Sequence, residues 1–351
     1  MNKKSYKLNY STKQDKKKKF NSRYRNHNID MRTKYAVINK TTLTLKKAGF
    51  YVYKFLEMKQ RSFDIIARRD DILVFIKVLI NIDNLTLEDS QSLVKLSKSL
   101  NASALVIGEY GTYNKLQDGI MYMRFGIPII TLGTLKDFVL EGVPPFLFSS
   151  PGGIFALVDG DKLKMVIKEK NLSLGQVARA LGVSRKAIQL YEHDKGARTE
   201  IIDKLEALLG VPLTKTLDPF EYGRKDMDAV SIISIPLNNQ NDEIPIIFNF
   251  MRSNGIEVIE INKCPFEGIV QIDNDFITSV GTSREIKSKA MVISTISHIV
   301  EKDPIAINLD NKTIFSKKIG GIPVIPKKKL MNVKEGKEIE ELFEESYKLN
   351  I

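Results

Sequence analysis

The 351-residue sequence predicts two α/β units on either side of an all-helical module. Three observations predict it. Short runs rich in β-branched and aromatic residues alternate with helical patterns up to about residue 150, and the same alternation returns after about residue 230. Between them lies a compact series of helix caps and apolar residues at helical spacing. The boundaries follow: a tail over 1–30, an α/β domain over 31–150, a helical domain over 151–215, an exit linker over 216–229 and a second α/β domain over 230–351.

The tail is rich in Lys, Asn and Ser and poor in aliphatic residues. It cannot bury enough apolar surface to fold alone and is expected to be a disordered basic arm. Its ten Lys/Arg stand against two Asp/Glu, a net of +8 in a chain whose total is +12. Met31 opens a more ordinary sequence.

The first α/β unit starts with a helix carrying Val37, Leu43 and Leu45 and ending at Gly49. Three strand-like runs follow, FYVYKFL, SFDIIAR and ILVFIKVLI. An amphipathic helix is expected from about Leu85 to Leu100, with Leu87, Leu93, Val94 and Leu96 as its apolar residues. A buried strand ALVIG, a helical stretch and the strand IPII complete the unit. The order αβββαβ resembles the restriction-endonuclease-like PD-(D/E)xK fold, especially the archaeal Holliday-junction resolvases. That resemblance implies a metal held between an acidic residue on the second strand and a Glu-x-Lys on the third, because the ion needs carboxylates to offset its charge and the lysine steadies the attacking water. Asp64 falls at the first acidic place and Lys77 at the lysine place, but Phe75 occupies the place of the Glu. An aromatic ring cannot ligate magnesium. The unit therefore reads as an inactive nuclease-like scaffold, with Asp64 and Lys77 a polar or ion pair and no catalytic residue.

Residues 144–158, PPFLFSSPGGIFALV, read as a connection in which Gly152-Gly153 marks a turn. The helical domain follows, and its residues 173–192, SLGQVARALGVSRKAIQLYE, are the most informative in the chain. Ser173 can cap a first short helix and Ser184 a second. Val177, Ala178 and Leu181 share one face, and Gly182 supplies a turn that a residue without Cβ can make. Ile188 and Tyr191 face inward, leaving Arg185, Lys186 and Gln189 outward. A helix before the pair carries Leu163, Val166 and Ile167; one after it, capped by Thr199, carries Ile202, Leu205 and Leu209.

Residues 160–212 resemble the helix-turn-helix of the Cro/phage-repressor family, with the motif spanning Ser173 to Glu192. The resemblance implies that Arg185, Lys186 and Leu190, with Gln189 beside them, read bases. It places phosphate contacts at Ser173, Leu174 and Ser184 and at Lys195 and Arg198 of the HDKGAR loop. Two departures stand out. The family's arginine before the first motif helix is Ile167 here, so Glu192 needs another partner, for which Lys168 is the candidate. Leu190 is apolar at a contact position and suits a thymine methyl or simple packing.

Residues 216–229 read as the exit linker. After it, parts of the first unit recur. KAGFYVYKF pairs with SNGIEVIEI, SFDIIAR with PFEGIVQ, SALVIGE with PIAINLD, and FGIPIITLGTLKDFV with GGIPVIPKKKLMNV. The C-terminal unit therefore reads as a diverged repeat of the first. Glu267 takes the place of Asp64, and no carboxylate-x-lysine follows it. The acidic C-terminal stretch EGKEIEELFEES reads as a solvated helix. The three-part order resembles the archaeal HTH-type transcriptional regulatory proteins, which implies control of transcription through DNA.

Composition sets further limits. Residues 160–212 hold ten Lys/Arg against seven Asp/Glu, so apart from the tail the basic signal is modest and local. One cysteine, Cys264, excludes an internal disulfide and a multi-cysteine metal site, and the three histidines are scattered. No cofactor or metal is expected. No apolar run reaches the roughly 20 residues of a membrane span, and a cytoplasmic location is expected. The expected partner is double-stranded DNA, bound at a palindromic site by a homodimer, with transcription machinery a further candidate. The alternatives are a structure-selective nuclease and a non-catalytic interaction adaptor.

Overall fold

The computed structural model describes residues 32–55, 62–112, 114–225, 243–310 and 317–348. The expected tail and residues 226–229 of the expected linker lie outside them. In chain order the elements are α1 (32–47), β1 (Tyr51–Lys54), β2 (Ile65–Arg69), β3 (Ile72–Asn81), α2 (Leu87–Ser99), β4 (Ser103–Tyr110), β5 (Ile120–Arg124), β6 (Ile127–Ile130), α3 (Leu132–Glu141), β7 (Leu147–Ser150) and β8 (Gly153–Val158). The helical module contains α4 (Gly160–Glu169), α5 (Leu174–Leu181), α6 (Arg185–Tyr191), β9 (Gly196–Arg198) and α7 (Thr199–Leu209). After it come β10 (Thr214–Lys215), α8 (Pro219–Lys225), α9 (Glu243–Ser253), β11 (Glu257–Glu260), β12 (Gly268–Gln271), β13 (Asp275–Gly281), α10 (Ser283–Val300), β14 (Asp303–Asn308), β15 (Lys318–Ile319), β16 (Ile322–Pro326), α11 (Lys327–Met331) and α12 (Gly336–Lys348).

The expected repeat is matched by the topology of the two sheets. The first unit runs β1-β2-β3-β4-β6-β5 and the last β11-β12-β13-β14-β16-β15. In both, the first three strands pair antiparallel, the next two pairings are parallel and the last is antiparallel. Local devices recur as well. Phe125-Gly126 and Gly320-Gly321 both turn their hairpins with two consecutive positive φ values, the geometry that suits a right-twisted two-residue turn. Thr86 caps α2 and Thr282 caps α10 in the same way. Ala102 N–H closes on Ser97 O where Lys302 N–H closes on Ser297 O. That last pair sets Ser103 level with Asp303, one residue off the sequence alignment of SALVIGE with PIAINLD.

The repeats pack on each other through the sheet faces that carry α2 and α10. Phe55, Phe63, Phe75 and Leu96 of the first share one buried core with Ile261, Ile293 and Ile296 of the second. Polar contacts rim it: Arg68 donates to Ile299 O and pairs with Glu301, and Lys263 pairs with Glu88 and Asp89.

Four expectations change. Residues 120–124, expected within a helical stretch, are β5: the tight turn at Phe125-Gly126 folds them onto β6. Leu43 and Leu87, expected on apolar faces, are exposed, whereas Val37, Leu45, Leu93, Val94 and Leu96 are buried. The C-terminal helix is not merely solvated, since Ile339, Leu342 and Phe343 bury one side of α12 in the second repeat's core. Residues 219–225, expected as linker, form α8, which returns to the first repeat. There Phe220 packs its ring against Phe50 and Phe138, and its carbonyl accepts from Ser103 Oγ at 2.7 Å.

The first sheet does not stop at β5. β7 adds in parallel to β5, β8 pairs with β7, and β9 and β10 both pair with β8. The helical module is thus mounted on a rail of backbone hydrogen bonds continuous with the first repeat.

The helix α8 reaches that repeat only because residue 223 is glycine. A Cβ there would sit 2.3 Å from Ala104 O, a backbone atom inside the sheet. Gly223→Ala is expected to lower stability by about 1–3 kcal/mol through overpacking, read as a fall in the denaturant midpoint of the full chain.

Candidate nucleic-acid interface

Two short helices at residues 173–191 make the candidate site. Ser173 caps α5 with a full capping box: its Oγ accepts from Gln176 N–H at 3.2 Å, and Gln176 Oε1 accepts from Ser173 N–H at 2.7 Å. Gly182, with φ +69°, ends the helix and makes the turn. Ser184 Oγ then accepts from Ala187 N–H at 3.1 Å and starts α6. Val177, Ala178, Leu181 and Ile188 are buried together with Leu163, Val166 and Ile167 of α4, Ile202, Leu205 and Leu209 of α7, and Ala156 and Val158 of β8. Tyr191 is only partly buried against this core. The helix after the motif begins at Thr199, but its cap position is Arg198 and carries no side-chain cap bond.

Arg185, Lys186, Gln189 and Leu190 are all exposed on α6, Leu190 at 46 %. Among the described residues neither Arg185 nor Lys186 has an ion-pair partner. The stem of Arg185 runs beside Gly175, where a Cβ would lie 3.8 Å from its Cδ. The sequence-expected phosphate residues divide. Ser173 and Ser184 are exposed but use their hydroxyls as caps, and Leu174 packs its side chain on the core. What Leu174 can offer is its main-chain N–H in the first turn of α5, where no carbonyl of the helix lies one turn back. Lys195 and Arg198 are exposed, the latter on β9.

The partner expected for Glu192 does not materialise: no ion pair joins it to Lys168 among the described residues. Backbone contact and a neighbouring carboxylate hold that end of α6 instead. Gly160 lies so close that a Cβ on it would be 2.4 Å from Glu192 O. Asp194 Oδ1 accepts from Gly160 N–H at 2.9 Å and from Lys215 Nζ at 2.8 Å. Lys215 and that amide hold the Asp194 carboxyl below the usual carboxylate range. The start of α4, the end of α6 and β10 are thereby tied at one point. Sequence reasoning missed this clamp, whose only signal was a helix-starting Gly160 beside the capping Asp159.

The nuclease-like position is built differently from a metal centre. Asp64 Oδ2 accepts from Val78 N–H at 2.8 Å, and Asp64 Oδ1 pairs with Lys34 of α1 at 3.0 Å. Lys77 is 7 % exposed; burial pushes its pKa down, and the charges of Asp64 and Asp89 oppose that shift. Phe75 is fully buried, its ring edge-on to Phe63 at 4.8 Å. The second repeat makes the same central bond: Glu267 Oε2 accepts from Val280 N–H at 2.8 Å, with Lys289 Nζ at 2.7 Å from its other oxygen. This places Glu267 at the station of Asp64. Among the described residues no group of three or more His, Cys, Asp and Glu is arranged to hold a metal ion, and no helix is long and apolar enough to cross a membrane.

Comparison with known proteins agrees with both halves of this picture. Residues 34–145 match the model of a PD-(D/E)XK superfamily domain, and residues 163–215 match a helix-turn-helix model. A "Putative HTH-type transcriptional regulatory protein" of Archaeoglobus fulgidus is 32 % identical over 311 residues, covering 88 % of this chain and 97 % of that one. Proteins carrying the same description from Pyrococcus horikoshii and Methanocella arvoryzae are 34 % and 35 % identical over 85 % and 76 % of this chain, and over 94 % and 83 % of theirs. The chain belongs to this archaeal family of HTH-type transcriptional regulatory proteins. In this family member the nuclease-like fold is present in the first repeat and its topology recurs in the second.

Asp64 holds a backbone amide and a lysine, whereas Lys77 is one of several cations around it. Removing the acid leaves buried charge and an N–H without a partner; removing Lys77 leaves Asp64 still bonded to Lys34 and Val78. Asp64→Ala is therefore expected to cost about 3–5 kcal/mol, the loss seen when one member of a buried pair is deleted, and Lys77→Met clearly less. Urea unfolding of both variants checks the order.

Proposed function

We propose that this chain is a sequence-specific DNA-binding regulator of transcription that reads bases with α6 and acts as a homodimer on a palindromic site. The observation that carries this reading is the outer face of α6. Arg185, Lys186 and Gln189 stand exposed on a helix whose opposite side is anchored by fully buried Ile188. Arg185 suits bidentate bonding to guanine O6 and N7, and Gln189 suits adenine. Leu190, exposed beside them, suits a thymine methyl. Main-chain amides at the start of α5, with Lys195 and Arg198, supply phosphate contacts that fix the register without reading sequence. One module makes few base contacts, so useful specificity needs a second copy on a half-site one helical turn away.

The nuclease-like repeats serve this reading as a scaffold without catalysis. Phe75 fills the place where a second carboxylate would be needed, and Asp64 already holds the Val78 amide and Lys34. The description of the relatives as HTH-type transcriptional regulatory proteins supports the reading of α6.

Arg185→Ala is expected to remove discrimination between the preferred site and scrambled DNA while leaving weak, salt-sensitive binding. The loss is about 1–3 kcal/mol per contact, taken twice by a dimer. Gel-shift competition after selection from randomised duplexes measures it. Full preference retained by the variant would refute the assignment.

A further inference from the structure

The hairpin formed by β7 and β8 has no part in the reading so far, yet it is locked to the strand that leaves the reading helix. β9 follows α6 after four residues, and Phe155, Ala156 and Leu157 of β8 pair with Arg198, Ala197 and Gly196. Phe148 of β7 stacks on Phe155 and lies on Gly196, where a Cβ would be 2.5 Å from its ring. The tip is Ser150-Pro151-Gly152-Gly153, with Ser150 opposite Gly153 and Pro-Gly at the centre. Gly152 has φ +100° and Gly153 φ +139°. Pro151, Gly152 and Gly153 are exposed, and a Cβ at Gly152 would lie 3.6 Å from Arg198 Nη2. Arg198 and Lys195 are exposed and have no ion-pair partner among the described residues. Residues 142–158 contain no charged side chain, so nothing on the hairpin itself repels an anion.

We propose that this hairpin is a second DNA contact, a wing whose tip and adjoining Arg198 grip the phosphate backbone beside the groove that α6 occupies. The chemistry is that of a phosphodiester: an unpaired guanidinium, a serine hydroxyl and main-chain amides on a turn that glycine leaves open to close approach. The proposal rests on the reading of α6 as the base-contacting helix. It adds a contact that carries no sequence information, because it meets only the backbone.

The test uses the full chain with Pro151→Lys and Pro151→Glu, and Ser150→Lys as a second tip variant. Each binds two duplexes: the site recovered by selection, and a scrambled duplex of equal length. Pro151→Lys and Ser150→Lys are expected to tighten both duplexes alike and to steepen the slope of log affinity against log salt by about 0.9, one added phosphate contact. Pro151→Glu is expected to weaken both by roughly fivefold, the effect of one unit charge at ~4 Å in water. It should also remove hydroxyl-radical protection of the sugars flanking the site. Unchanged affinity, slope and footprint in the lysine variants would overturn the wing, provided Arg185→Ala still abolishes discrimination. If Arg185→Ala has no effect either, the failure lies with the reading of α6 and takes the wing with it.

Discussion

The continuity of one β-ladder governs how the reading helix is presented. β5 and β8 would each be an open sheet edge, with backbone donors and acceptors facing solvent, a costly and aggregation-prone arrangement. β7 closes the gap between them, and β9 and β10 finish the far side. The helix-turn-helix therefore does not hang from a flexible tether. Its core shares Ala156 and Val158 with the strand that pairs to β9. The returning chain adds α8, which docks on β4 through Gly223 and Phe220. Both the entry and the exit of the module are thus fixed to the same repeat.

Asp64 has a structural role that does not require metal. In both repeats the acid directly before the second strand accepts the amide one residue past the position opposite it on the third: Val78 for Asp64, Val280 for Glu267. A buried N–H without a partner costs about as much as a lost hydrogen bond, so each acid stabilises its sheet by satisfying one. The surrounding cations differ, Lys34 and Lys77 in one case and Lys289 in the other. The carboxylate's bond to the backbone is common to both, and the charges around it are not. Phe75, by contrast, has joined an edge-to-face aromatic run through Phe63 to Phe55. That run continues into the core shared by the two repeats.

The helix-turn-helix was legible because every signal in it is local: Ser173, Gly182 and Ser184 act within three or four residues of themselves. The repeat was legible where a turn demands a particular backbone, as at Gly126 and Gly321, and drifted by one residue at β4, where only apolar character guided the alignment. α8 and β5 were missed for a common reason. Pro219–Lys225 is short and its helicity depends on Phe220 meeting Phe50 and Phe138, residues distant in sequence. Ile120–Arg124 is short and carries two helix-favouring methionines, and becomes a strand because Ile127–Ile130 lies beside it. The clamp at Asp194 joins residues 160, 194 and 215, and no spacing rule reaches that far.

The duplication also bears on symmetry. Two repeats with one topology bury matching faces against each other, so the scaffold has the character of a dimer held within one chain. The reader does not share that character. Among the described residues the rail beyond β5 supports one helix-turn-helix, while the corresponding strand β15 ends its sheet. A two-fold DNA site needs two readers related by a two-fold axis, since an isologous contact repeats each residue's environment in both subunits. The axis relating the repeats cannot serve, because only one of them carries a reader. A palindromic site would therefore require a second chain, joined through a surface other than the one the repeats already use on each other.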